Sequence, residues 1–125
     1  MLIATLMALL FLGSGAGQMM DGIDQMHDSI KSEIADEDTR KAALGIADRM
    51  KDSTKNFADI DADGENELLE LIQQYETTTA DLQKHLDAAY QQRINYQQAM
   101  LALRFELKDG LSREQWNKVF AAEDR

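Results

Sequence analysis

Residues 59–70 read DIDADGENELLE, with Asp59, Asp61 and Asp63 at alternate positions, Gly64 next, and Glu70 at the end. That spacing has a chemistry. A hard cation such as calcium takes several oxygen ligands. Alternate Asp side chains on a tight loop can converge on it, glycine permits the bend, and a final Glu closes the shell with both oxygens. A calcium site here would draw on Asp59, Asp61, Asp63, Glu65 and Glu70. The same residues also have a structural explanation. Asp61 or Asp63 would cap a helix starting near Glu65, Gly64 would ease the turn, and Glu65, Glu67 and Glu70 would complement the positive helix end.

The order D-x-D-x-D-G-x5-E resembles a single EF-hand calcium loop over these twelve residues. Asn66 stands where that family usually carries a branched apolar residue for pairing with a second loop. The resemblance therefore implies an unpaired, weak site, with affinity on the order of 0.1–1 mM.

Other chemistry is sparse. His27 has Met20 and Met26 nearby, a set that suits a soft metal such as copper, although Met19, Met20 and Met26 on one stripe also suit a helical core. His85 stands beside Leu86 and is expected to flank the helix seam. The chain has no nucleophile–base pairing, glycine-rich phosphate loop or HExxH motif. A narrow helical hairpin offers little dry concave space for catalysis, so a non-enzymatic role is expected, with no required cofactor and calcium the one candidate ligand.

The elements that would position these residues are helical. The 125 residues suit one domain, and they include no proline or cysteine while being rich in Ala, Leu, Gln, Glu, Asp and Lys. Without cysteine there is no disulfide, no thiolate metal site and no thiol for lipid attachment. A net charge of −10 argues against nucleic acid and anionic membrane surfaces as partners, while basic partners and cations suit it.

The N-terminal residues 1–20 carry no charge, and MLIATLMALLFL is followed by GSGAG. Twelve apolar residues are too few to span a bilayer, which takes about twenty. They suit the core of a signal peptide cut ahead of Gly17, or an uncleaved anchor running to Met20 with Gly13 and Gly17 on one face. Both place residues 21–125 in the cell envelope, periplasmic or otherwise outside the cytoplasm, with membrane contact through residues 1–20 if they are retained.

From Leu68 to Leu107 apolar positions recur at steps of four and three, through Ile72, Tyr75, Leu82, Leu86, Ala89, Tyr96, Met100 and Leu103, interrupted by Thr79 and Arg93. This heptad seam predicts one helix over 65–108, roughly 65 Å long. Shielding would come from helices near 19–34 and 39–58, the first carrying Met19, Ile23, Met26 and Ile30, the second Ala43, Ala47, Met50, Thr54 and Phe57. A break is expected near 35–39 and a turn at 59–64. Gly110 should end the long helix, and Ser112 with Gln115 forms a capping box for a short helix over 112–121, stapled by Leu111 and Trp116. The expected fold is all-α, a long antiparallel hairpin or three-helix bundle with a short C-terminal capping helix.

Residues 101–116, LALRFELKDGLSREQW, resemble the end of small periplasmic helical proteins of the Spy, CpxP and heavy-metal-resistance kind, with Leu111-Ser112-Arg113-Glu114-Gln115 close to their L-T-x-x-Q motif. That resemblance implies a chaperone, or a stress or metal sensor, acting as a dimer. The seam itself points to a coiled-coil-like interaction or structural protein whose partner is another helical protein or a second copy.

Overall fold

The computed structural model describes residues 16–121. Within them the chain is all helical: α1 Ala16–Glu33, α2 Glu37–Gln73, α3 Thr79–Gly110 and α4 Arg113–Ala121. The expected signal or anchor segment 1–20 falls mostly outside the described residues. Its last part, Ala16 to Met20, is the first stretch of α1, where Met19 is buried. Among the described residues no helix is long and apolar enough to cross a membrane.

Each helix end has a local cause. Asp36 caps α2, accepting from the Thr39 amide at 2.9 Å and the Thr39 hydroxyl at 2.7 Å. These bonds hold its carboxyl below the ordinary carboxylate range. Arg40 reaches back to the carbonyls of Ile34 and Ala35, satisfying acceptors that α1 leaves open at its end. Thr78 and Asp81 form a reciprocal capping box at the start of α3, and Ser112 with Gln115 forms another ahead of α4.

Cross-helix contacts fix the topology. Arg49 pairs with Glu106, Thr54 approaches Met100, Phe57 stacks on Tyr96 with centroids 4.5 Å apart, and Glu67 lies 3.8 Å from His85. As the α2 number rises the α3 number falls, so the two run antiparallel. Asp24 meets Lys51 at 2.9 Å and His27 meets Asp48 at 3.5 Å, which sets α1 antiparallel to α2 as well. The hydrogen bond and charge of Asp24 raise the Lys51 ammonium above its usual value. α4 folds back onto α1.

Two corrections follow for the expected elements. No turn occurs at residues 59–64, because α2 continues through them to Gln73. No single helix covers 65–108 either, because the chain reverses at 74–78 and α3 begins at Thr79. The intrinsic bias to helix across 59–70 is strong, and one glycine lowers it by only about 1 kcal/mol. The turn instead takes Tyr75-Glu76-Thr77-Thr78, with the Thr77 amide bonded to the Gln74 carbonyl and Thr78 starting the next helix.

The core occupies one end of the molecule. Met19, Ile23, Met26 and Ile30 of α1 pack with Ala43, Ile46, Ala47 and Met50 of α2, Met100 and Leu107 of α3, and Val119 and Phe120 of α4. Small residues at Gly22, Ser29, Ala43 and Ala47 leave room for the Ile and Met side chains between the helices. Each fully buried Ile or Met contributes about 2 kcal/mol through area removed from water. Past Thr54 in α2, and before Met100 in α3, no described residue is buried. There the two long helices continue as an arm of roughly 30 Å.

Candidate docking surface

The residues singled out for calcium all lie on this arm. Asp59, Asp61, Asp63, Glu65 and Glu70 are exposed along consecutive turns of α2. In a helix a step of two residues turns the side chain by about 200°, so Asp59, Asp61 and Asp63 point to alternating sides and cannot share a cation. Calcium coordination by these residues would require α2 to break. Among the described residues no group of three or more His, Asp or Glu side chains could hold a metal ion. His27 faces Asp48, while Met26 is buried in the core and Met20 half-buried, so the suggested copper set is divided between core and surface. His85 is half-buried between the arm helices, with its Nδ1 toward Glu67.

What the arm does bring together is apolar surface with acidic side chains. Phe57, Gly64 and Leu68 from α2 face His85 and Ala89 from α3 across a cleft of about 410 Å³. The cleft exists because small residues meet there. A Cβ built on Gly64 would touch nothing within 4 Å, and Ala89 opposite adds only a methyl group. Ile60 and Leu86 line the same cleft yet remain exposed, Leu86 by 51%. Tyr90 is one helical turn beyond Leu86 on the same face and is 66% exposed.

Ile60, Leu69, Ile72, Tyr75, Leu86 and Tyr90 account for six of the seven large apolar side chains exposed among the described residues. All six belong to the arm or its tip. The seventh, Phe105, lies under the Arg104 guanidinium at 4.9 Å, with Trp116 on another side of that guanidinium at 5.2 Å. Scattered exposed apolar residues need no explanation, but this concentration on one element sets the arm apart and makes it the candidate docking surface.

Sequence periodicity found Leu86 and Ile72 but assigned them to a shielded seam. The observed seam of α3 runs through His85 and Arg93 to Tyr96, Met100 and Leu107, leaving Leu86 beside it. A usable sign was the Thr77-Thr78-Thr79 run with Asp81, where β-branched residues and a capping box favour a helix start over a helix interior.

The junction between core and arm is polar and tightly bonded. Thr54 is fully buried, donates to the Met50 carbonyl at 2.9 Å and meets the Tyr96 hydroxyl at 2.7 Å. Burial pushes the Tyr96 phenol above its ordinary value, partly opposed by the Thr54 hydrogen bond. In comparisons with known proteins, no family model, curated protein or solved structure matches the chain.

Proposed function

We propose that this protein is a helical interaction protein of the cell envelope that engages another chain through the α2–α3 arm. The concentration of exposed apolar side chains on the arm carries the proposal: among the described residues the other end buries its large hydrophobic side chains within four helices, Phe105 excepted, while the arm presents Leu86, Tyr90, Leu69 and Ile72 to solvent. Two packed helices with an uncovered apolar face gain from a third, since adding a helix removes that face from water without altering the arm backbone. The uncharged apolar run before Ser14 supports export.

Site-specific photo-crosslinking in cells tests this reading. A crosslinker at Leu86 or Tyr90 should capture a discrete partner band, while one at Lys41, exposed on the core end, should not. Equal capture from both positions, or from neither, contradicts it. Bare apolar surface on an arm also suits a chaperone of the Spy kind. That role predicts suppression of aggregation of an unrelated unfolding protein, lost on replacing Leu86 and Tyr90 by Ser.

A further inference from the structure

The arm is apolar at the cleft, but its charge is one-sided. From Lys55 to Asn95 there are nine Asp and Glu against three Lys and Arg, a net of −6 within a chain of net −10. Residues 59–70 alone carry six carboxylates and no cation. Of these, Asp61 and Glu65 lie on one flank of α2 and Asp63 and Glu67 on the other, and all four line the cleft that also holds Ile60, Leu68 and Leu86. An apolar strip bordered by carboxylates has a defined complement. Resting on the interaction reading above, we propose that the occupant of this cleft is a basic amphipathic helix, with its apolar stripe between Ile60 and Leu86 and its Lys or Arg residues against the α2 carboxylates.

Charge selects among the occupants. A second copy would bring two arms of net −6 together in a low-dielectric contact, where like charges repel strongly. A purely apolar segment would cover Leu86 but leave the carboxylates beside it partly desolvated and unpaired. A basic amphipathic helix buries the strip and pairs its border in one step, the helix-in-groove mode of recognition. Long cationic stems also add apolar contact of their own before reaching the carboxylates.

The test uses the full chain and two synthetic three-heptad peptides with identical Leu positions, one carrying Lys and the other Glu at the remaining charged positions. Fluorescence anisotropy should show one Lys peptide bound per chain, and no binding of the Glu peptide. Binding should weaken about tenfold in D61K/E65K/E67K, and about tenfold again in L86A/Y90A, which keeps every charge. Raising salt should weaken binding to the parent more than to the charge-reversed variant. Equal binding of both peptides would leave the docking arm standing and overturn its basic partner. Unchanged affinity in L86A/Y90A would mean attraction by charge alone and would overturn the cleft as the site. A dimer by sedimentation that Leu86→Asn disperses would assign the cleft to a second copy, and binding gained only on removing residues 2–12 would assign it to the chain's own apolar segment. Either result overturns the proposal. If neither peptide binds, the arm is not a helix-docking surface and the interaction reading falls with it.

Discussion

The Tyr96 hydroxyl lies 2.7 Å from Thr54 Oγ1, joining α3 to α2 where the four-helix core gives way to the arm. Thr54 Oγ1 also donates to the Met50 carbonyl at 2.9 Å, so the same hydroxyl bonds within α2 and across to α3. Phe57 stacks on the same Tyr96 ring with an interplanar angle of 4°. One aromatic residue thus fixes the register of the long helices at the last buried level. Tyr96→Phe keeps the stack and removes only the bond, and should cost about 1 kcal/mol in chemical denaturation. Thr54→Val should cost a similar amount, and the double variant should cost less than the two singles combined. Additive losses would show that the two hydroxyls act independently. Because burial raises the Tyr96 pKa, its contribution is present below the ordinary value of 10.0 and is lost as pH rises through the folded value. Tyr96→Phe should flatten that alkaline limb.

Gly64 gives a sharper contrast between a loop and a helix. It sits within α2 with open space where a Cβ would go. Gly64→Ala should therefore stabilise the protein by about 1 kcal/mol through helix propensity. Were Gly64 the bend of a calcium loop, the same change would destabilise it. Thermal melting of the variant against the parent decides the sign.

Acid should loosen the helix starts. Hydrogen bonds from Thr39 to Asp36, and from Thr78 to Asp81, lower both carboxyl pKa values from the ordinary 3.8. A depressed carboxyl contributes stability that is present above the unfolded value and lost as pH falls through the folded one. Melting temperature should fall as pH drops below about 4, and D36N/D81N should shift less over that window. Equal acid sensitivity in the variant would place the effect in other carboxylates.

The reversal at 74–78 depends on its capping box. Thr78→Ala removes the hydroxyl that accepts from the Asp81 amide at 3.2 Å, and should cost about 1 kcal/mol. Amide exchange should quicken first at residues 79–82, the turn the cap secures. Uniform acceleration across the chain would instead indicate global destabilisation.

The all-helical fold and the short C-terminal helix were legible in the sequence, because absent proline, strong helix formers and the Ser112–Gln115 box all act locally. The position of the hairpin turn was not. Period-seven spacing continues across residues 74–78, since Tyr75 and Thr79 fall at seam positions, although Tyr75 is 99% exposed. Spacing reports which residues would share a face if the helix continued, but not whether it continues. The DxDxDG pattern misled for the opposite reason. A glycine among carboxylates looks like a turn, yet without proline or a partner loop the surrounding helix formers carry the backbone through it. The exposed apolar face of the arm was half legible: Leu86 and Ile72 stood out by type, but their exposure follows from α1 covering only the lower part of α2, which no local pattern encodes.

The absence of cysteine allows a clean pair of spin labels at Lys55→Cys and Gln73→Cys, two exposed positions on α2 that bracket residues 59–70. Pulsed electron–electron resonance should return one narrow distance near 27 Å, about eighteen residues of continuous helix, and millimolar calcium should leave it unchanged. A shorter, broad distribution, or a distance that calcium shifts, would show that α2 breaks there and would contradict the arm.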